Sequence, residues 1–307
     1  RVVLAALITS ANMSAQDAVQ VSSYQIKVNG VIQASDVEKI RADKKWPAQR
    51  VELTKKADNK AFESLSQLHE IQELEIAYGN EHITSFSPLG KLKKLSKFKS
   101  ADLKSAEKSP LSVKVFANCK DLREVDFYAT EIRDGNALAG CSKLNKISFY
   151  MAKVDSLDFL ASTPEVTYLE LYGMDHSFTS YEAVSKLKKL TYLNVYMNKI
   201  ADDEHLKVLE KLTSLEEVGM ANGKNITNLN FLRNCTELEE VGANWCREIE
   251  DISGLSKLEY LQTVELDDTA IKDIKSLSNK PFLKELEIGG THVSDLSPLM
   301  SSKHLEK

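Results

Sequence analysis

The chain has 307 residues, of which 42% are hydrophobic and 28% are charged, and its formal net charge is -5. This composition is typical of an ordinary soluble protein, and the sequence lacks the run of about eighteen apolar residues that a membrane-spanning helix needs. A nucleic-acid surface needs clustered Lys and Arg, which an acidic balance does not favour. We therefore expect neither a membrane span nor a nucleic-acid partner.

Residues 1–15 have the pattern of a secretory signal peptide whose first residues are missing. Arg1 precedes an apolar run from Val2 to Ile8, and small or polar residues follow at Ser14 and Ala15. This order of a basic residue, a short apolar core and a small residue predicts cleavage after Ala15. The mature protein is then exported and lies in the periplasm, in the medium or on the cell surface. A buried helix or strand is the alternative interpretation.

Residues 16–47 lack the pattern of the rest of the chain and are predicted to form an N-terminal cap. Apolar and polar side chains alternate from Tyr24 to Val28, and Asn29–Gly30 is a tight-turn dipeptide after which the chain can return as the second strand of a hairpin. Ser35 and Glu38 fit a capping box that opens a helix. A hairpin followed by a helix would cover the apolar end of the array that follows.

Residues 48–307 repeat the motif L-x-x-L-x-L at intervals of 22 to 27 residues. This period is typical of a leucine-rich repeat, in which each coil stacks on its neighbours to form a solenoid. The last two apolar positions of the motif predict one strand per coil. Eleven coils are counted, and Leu305 begins a twelfth that Lys307 truncates. The predicted strand pairs are Val51/Leu53, Leu74/Ile76, Phe98/Ser100, Val125/Phe127, Ile147/Phe149, Leu169/Leu171, Leu193/Val195, Val218/Met220, Val241/Ala243, Val264/Leu266 and Leu286/Ile288.

Two further sets of equivalent positions, which we call columns, recur in successive coils outside the strands. Side chains in the first are expected to bond backbone groups of the turn, and side chains in the second to cap short helical turns on the outer side. One carboxylate per coil supplies too few oxygens for calcium, so no metal is predicted. The turn column is Thr130, Asn198, Cys246, Thr269 and Thr291. The capping column is Asp134, Asp202, Asp251, Asp273 and Asp295, with Asn228 in the corresponding place.

The coil endings resemble those of bacterial leucine-rich repeat proteins of the internalin-like class. Residues Ile271–Leu277 read I-K-D-I-K-S-L and residues Asp295–Leu299 read D-L-S-P-L. The resemblance covers roughly Val51 to the end of the chain. It implies an α/β leucine-rich repeat solenoid, a right-handed curved horseshoe with a parallel β-sheet on the concave face and short helical or 3-10 turns on the convex face. It also implies that the concave sheet binds proteins.

The sequence offers little that points to catalysis or to a cofactor. It has no H-E-x-x-H, C-x-x-C, G-x-S-x-G or phosphate-binding glycine loop, and its histidines show no metal spacing. The acidic stretch before His205 is interpreted as a solvated helix cap. We therefore predict a protein that is not an enzyme and that needs no cofactor or metal.

The four cysteines occupy buried positions of the repeat. Cys119, Cys141 and Cys235 each stand three residues before a coil's first leucine, and Cys246 lies in the turn column. Free Cys is a common small core residue, so free thiols are predicted. The alternative is a disulfide between Cys119 and Cys141 in adjacent coils.

Tyrosines gather at positions predicted to face solvent. They follow the second strand residue in four consecutive coils and precede the first strand residue in two, and farther along the same columns become acidic, as at Glu240 and Glu265. Cross-strand stacking is a purely structural explanation, but tyrosine is also enriched in binding hot spots. We expect a monomer that binds a protein partner here; carbohydrate or another small ligand is the alternative. The predicted partner-binding residues are Tyr128, Tyr150, Tyr168, Glu170, Tyr172, Tyr192, Asn194, Tyr196, Met197 and Trp245.

Overall fold

The computed structural model describes residues 19–21, 26–30, 37, 50–103, 110–174, 178–199 and 201–306. The chain divides into two compact units, residues 1–144 and 145–307. In both units, strands of a parallel sheet alternate with short helical turns. The predicted signal segment lies outside the described residues. So does the predicted capping helix, except for Val37, which is helical and buried.

The first unit contains six strands of the main sheet and a smaller outer pair. The first two strands are antiparallel, and the others pair in parallel. Val51, Leu74, Phe98 and Val125 lie side by side in register, as the repeat predicts. The main strands are β1 Val19–Val21, β2 Ile26–Val28, β3 Arg50–Leu53, β4 Glu73–Ile76, β5 Lys97–Ala101 and β7 Glu124–Tyr128, and the outer pair is β6 Leu111–Ser112 and β8 Glu131–Arg133.

The hairpin at the start of the sheet is not the predicted one. Strand β2 pairs antiparallel with β1, which precedes it, and pairs in parallel with β3 on its other edge. Both edges of β2 are therefore occupied, so a strand returning after Asn29–Gly30 has no edge left to pair with. The predicted return strand itself lies outside the described residues. Ile26 and Val28 are fully buried, which gives the first coil an apolar neighbour.

The predicted strand pair Phe98/Ser100 has a serine as its second member and lies among aromatic rings. Ser100 stands between Ile76 and Phe127 in the sheet, at a position where most other coils carry a large apolar residue. Its hydroxyl is buried and has no hydrogen-bond partner among the described residues. Four rings with centroids 5.1 to 6.3 Å apart occupy the space that a leucine would otherwise fill. These are Phe86, Phe98, Phe116 and Phe127.

The second unit continues the same pattern with seven strands in chain order. The first predicted residue of each strand pair lies in register with the next, from Ile147 and Leu169 to Leu286. The strand predictions are therefore confirmed within each unit. The strands are β9 Lys146–Tyr150, β11 Tyr168–Glu170, β12 Tyr192–Asn194, β13 Glu217–Gly219, β14 Glu240–Gly242, β15 Thr263–Glu265 and β16 Glu285–Glu287; β10, Lys153–Val154, lies outside this sheet.

From β3 onward, each connection between strands of the main sheet contains a short helix, as predicted. None of the helices in the described part of the chain is long and apolar enough to cross a membrane. The α-helices span Asn59–Leu65 and Asp203–Leu206. The 3-10 helices span Ser87–Lys91, Lys114–Asn118, Gly135–Gly140, Asp158–Ser162, Glu182–Lys186, Lys207–Lys211, Asn230–Leu232, Ser253–Leu255, Lys275–Leu277 and Ser297–Ser301.

Most of the predicted capping column is confirmed. The Asp202 side chain accepts a hydrogen bond from the backbone N–H of His205 at 2.9 Å. Asn228, Asp251, Asp273 and Asp295 each accept from the first N–H of the following 3-10 helix, at 2.8 to 3.1 Å. These bonds satisfy helix N–H groups that have no partner inside the helix.

Asp134 departs from this column, and its predicted capping role is wrong. Its backbone is left-handed, with φ of 63°, and its side chain makes no capping hydrogen bond. The carboxylate instead accepts from the Ser112 hydroxyl of the preceding coil at 2.6 Å. Asp134 therefore links two coils instead of capping one helix.

The predicted turn column also forms its backbone bonds. The hydroxyls of Thr269 and Thr291 donate to the carbonyls of Leu266 and Ile288 at 2.8 and 2.7 Å. The Asn198 side chain accepts from the Met174 N–H at 2.7 Å. Thr130 and Cys246 likewise donate to the carbonyls of Tyr128 and Met220 at 3.0 and 3.3 Å.

Candidate functional site

Alternation along the strands of the second unit places three columns of side chains on the solvent face of its sheet. The first column precedes the first buried strand residue, the second lies between the two buried residues, and the third follows the second. The first column is Lys146, Tyr168, Tyr192, Glu217, Glu240, Thr263 and Glu285. The second is Ser148, Glu170, Asn194, Gly219, Gly242, Glu265 and Glu287. The third is Tyr150, Tyr172, Tyr196, Ala221, Asn244, Asp267 and Gly289.

Five of the predicted tyrosines form two stacks, one in the first column and one in the third, and we call them together the tyrosine ladder: Tyr150, Tyr168, Tyr172, Tyr192 and Tyr196. Tyr168 and Tyr192 stack with ring centroids 4.1 Å apart and ring planes within 1° of parallel. Tyr150 and Tyr172 stack at 4.1 Å, and Tyr172 and Tyr196 at 4.7 Å. Such cross-strand pairs contribute about 0.2–1 kcal/mol each, so the ladder also supports the fold.

At the β9 end of the ladder, a lysine of this chain lies against a tyrosine ring. The ammonium nitrogen of Lys146 lies 4.2 Å from the centroid of the Tyr168 ring, which is within cation–π distance. Burial, followed by the nearby Glu170 carboxylate, raises the pKa of Tyr168 above its ordinary value. Burial also raises the pKa of Tyr192. Both hydroxyls therefore stay protonated at neutral pH and can donate hydrogen bonds.

The two predicted polar residues between the tyrosines are held by their neighbours. Glu170 accepts a hydrogen bond from the Ser148 hydroxyl at 2.9 Å. The Asn194 carbonyl oxygen accepts from the backbone N–H of Tyr196 at 2.8 Å, and its amide nitrogen lies 3.5 Å from the Tyr192 hydroxyl. A partner would therefore meet polar groups whose orientation is already fixed.

Large apolar side chains project where the strands end. Met151, Met197 and Trp245 have φ of 52°, 58° and 62°, in the left-handed region that bulky residues rarely adopt. Met197 and Trp245 are 45% and 46% exposed, and the Tyr172 hydroxyl lies 3.5 Å from the Met197 sulfur. The equivalent residues of neighbouring coils, Gly173, Asn222, Asp268 and Gly290, also have positive φ, so the conformation belongs to the turn of the repeat. Gly, Asn and Asp are the residues that adopt it most readily, and the two methionines and the tryptophan take their place in three coils.

Tyr128, the sixth predicted tyrosine, lies in the first unit, where its ring contacts Tyr78. The two rings make an edge contact, with centroids 5.9 Å apart and planes at 67°. Tyr78 is 56% exposed and was missed by the sequence comparison. It follows Ile76 by two residues instead of one, so it falls outside the compared column.

Beyond the ladder the solvent face is acidic. Glu217 and Glu240 are directly opposite each other on β13 and β14. Burial, followed by the charges of Glu240 and Glu265, raises the pKa of Glu217. The first unit differs, because its solvent face carries cross-strand ion pairs such as Lys27–Glu52 at 2.8 Å and Lys99–Asp126 at 3.2 Å. Within the described ranges, no three His, Cys, Asp or Glu side chains form a group that could hold a metal.

All four cysteines are free and buried, as predicted. The thiols of Cys141 and Cys235 donate to carbonyls of the preceding coil, Phe116 and Leu209, at 3.0 and 3.4 Å. Burial raises the pKa of Cys119 and Cys246 to about 11 and that of Cys141 and Cys235 to about 12. The reactive thiolate is therefore scarce at neutral pH.

Iodoacetamide at neutral pH is expected to leave the native protein unlabelled, because the thiols are both buried and protonated. After denaturation without reductant, mass spectrometry should find four labels, one per free cysteine. A denatured protein that takes up only two labels would instead reveal the Cys119–Cys141 bridge.

The sequence matches no model of a protein family, and no curated protein is significantly similar to it. Its structure is similar to solved leucine-rich repeat proteins. An internalin of Listeria monocytogenes aligns with 98% of this chain over 91% of its own length, with a TM-score of 0.68 and 17% identity. A leucine-rich repeat protein of Leptospira interrogans aligns with 91% of this chain over 74% of its own, with a TM-score of 0.67 and 16% identity.

A plant peptide hormone receptor, solved in complex with RGF2, aligns with 93% of this chain. The TM-score is 0.68 at 15% identity, and this chain spans 49% of the receptor's length. At these identities the likeness concerns the fold. The leucine-rich repeat solenoid expected from the sequence is thereby confirmed as the fold of this chain, and it is similar to the fold of an internalin.

Proposed function

We propose that this protein is a binding scaffold for another protein and that the partner docks on the solvent face of the second unit's sheet. The observation that carries the proposal is the tyrosine ladder, with exposed Met197 and Trp245 at the strand ends. Tyrosine and tryptophan supply large contact area with a polar tip and dominate many interfaces. The similar plant receptor, solved in complex with RGF2, supports the use of this fold for recognition.

Ring geometry favours a protein over a carbohydrate. A sugar needs an open aromatic face to lie against, but the faces of Tyr172 are occupied by Tyr150 and Tyr196. Lys146 and Tyr192 lie against the Tyr168 ring in the same way. Tyr168 and Tyr172 therefore present ring edges and hydroxyls, which suit the mixed apolar and polar surface of a protein.

The scaffold acts without catalysis and outside the cytoplasm in this proposal. The absence of any familiar catalytic motif in the sequence supports the first point. The signal-like pattern before Ala15 supports the second.

Site-specific photo-cross-linking in cells of the native source tests this function. Benzoylphenylalanine in place of Tyr172 is expected to yield adducts with a protein of the envelope or the medium. Glu204, exposed on the outer helix Asp203–Leu206, is the matched control and should not yield them. The same adducts from both positions would contradict docking on the sheet. Adducts only with cytosolic proteins would contradict export.

A further inference from the structure

The tyrosine ladder ends at β12, beside two strands whose central solvent-facing residues are glycines. Gly219 and Gly242 are direct neighbours in the sheet. Neither has a positive φ, so the backbone does not require glycine at these positions. A Cβ on Gly219 would lie 3.4 Å from the Asn194 side chain, and a Cβ on Gly242 would lie 3.4 Å from the Glu265 carboxylate, both ordinary contacts. The two glycines therefore leave a shallow depression between the side chains of Asn194 and Glu265, which we call the glycine recess.

Aromatic and acidic groups surround the glycine recess. Tyr192 on β12 is directly opposite Glu217 on β13, and Glu217 is opposite Glu240 on β14. Glu265 borders the far side, next to Gly242. Carboxylates placed directly opposite each other destabilise a sheet. Neither Glu217 nor Glu240 forms an ion pair within the described part of the chain.

Elsewhere in the protein, the same kinds of groups have a cation beside them. On the first unit's solvent face, Glu52 and Asp126 have lysines on the adjacent strands. At the β9 end of the ladder, Lys146 covers the ring of Tyr168. At the β12 end, the position next to Tyr192 holds Glu217 in place of a lysine. Tyr192, Glu217 and Glu240 therefore form surroundings suited to a cation, and neither of these two carboxylates forms an ion pair within the described part of the chain.

Resting on the proposed protein-binding function, we propose that the glycine recess takes a lysine or arginine side chain of the protein partner. The cation lies against the Tyr192 ring, as Lys146 lies against Tyr168, and between the carboxylates of Glu217, Glu240 and Glu265. The glycines give its aliphatic stem room to cross the sheet. Charge complementarity selects a basic partner, because an acidic one would meet several like charges.

Two variants separate the recess from general electrostatic attraction. Gly219→Thr with Gly242→Thr fills the depression and keeps every charge, while β-branched residues suit a strand. Glu217→Gln with Glu240→Gln removes charge and keeps the shape. The matched control, Glu285→Gln with Glu287→Gln, removes two charges from β16, outside the recess. Melting temperatures verify that all three variants fold.

The probe is a fluorescein-labelled hexa-arginine peptide, with hexa-glutamate as the negative peptide, followed by fluorescence anisotropy at physiological salt. We expect the filled variant and Glu217→Gln with Glu240→Gln each to weaken hexa-arginine binding about tenfold or more, and the control to change it little. Equal weakening by the control would show general attraction and overturn the recess. So would unchanged binding to the filled variant.

The captured protein partner distinguishes this inference from the proposed function. If Tyr172→Ala with Tyr196→Ala abolishes partner binding while the filled variant keeps it, the recess proposal fails and the protein-binding surface stands. If the tyrosine variant also keeps its affinity, the surface itself is wrong. We expect both variants to weaken the partner.

Discussion

Asn80→Ala is expected to lower the free energy of unfolding by about 3–5 kcal/mol, a large effect for one polar side chain. Asn80 is fully buried and makes four hydrogen bonds to the backbone. Its amide nitrogen donates to the carbonyls of Thr54 and Ala57 at 2.7 and 2.9 Å. Its carbonyl oxygen accepts from the N–H groups of His82 and Ile83 at 2.9 and 2.8 Å. Alanine would leave all four backbone groups without these partners.

Urea unfolding of Asn80→Ala and Asn118→Ala measures this effect. Asn118 is an exposed residue at the end of the 3-10 helix Lys114–Asn118, so its replacement should cost less than about 0.5 kcal/mol. Similar losses in the two variants would mean that water or a rearranged turn replaces the Asn80 bonds.

Comparison of equivalent repeat positions did not identify Asn80. Thr269 and Thr291 stand three residues after the second residue of their predicted strand pairs, Leu266 and Ile288, whereas Asn80 stands four residues after Ile76. One extra residue shifts the turn, so the side chain that closes it falls outside the compared column. The same shift displaced Tyr78. Asn80 nevertheless bonds backbone groups of its turn, as the turn column does in other coils, because these groups still need hydrogen-bond partners.

The strands could be predicted because every coil faces the same packing problem. Two apolar residues per strand must point inward, so a nearly constant repeat fixes both the register and the solvent-facing columns. The gathering of tyrosines on neighbouring strands follows from that register. The position of Lys146 over Tyr168 does not follow, because it depends on side-chain rotamers. The left-handed backbone of Asp134 was equally absent from the pattern.

Tyr172→Ala with Tyr196→Ala is expected to weaken binding of the captured partner roughly a hundredfold or more, since hot-spot truncations typically cost about 2 kcal/mol or more each. The variant loses the stacked contacts that Tyr172 makes with Tyr150 and Tyr196. Each such pair contributes about 0.2–1 kcal/mol, so the melting temperature should fall only slightly. Titration calorimetry and thermal unfolding measure the two effects separately.

Leu193→Ala is expected to lower the stability of the protein without weakening partner binding. Leu193 lies on the same strand as Tyr192 and Asn194, but its side chain is buried, and its truncation should cost about 2–5 kcal/mol of stability. Below its lowered melting temperature this variant keeps the tyrosine ladder and should still bind the partner. Binding and folding therefore separate according to which face of the sheet is changed. If the tyrosine variant keeps full affinity, or loses affinity only where it unfolds, the ladder is a structural feature of the sheet and the partner docks elsewhere.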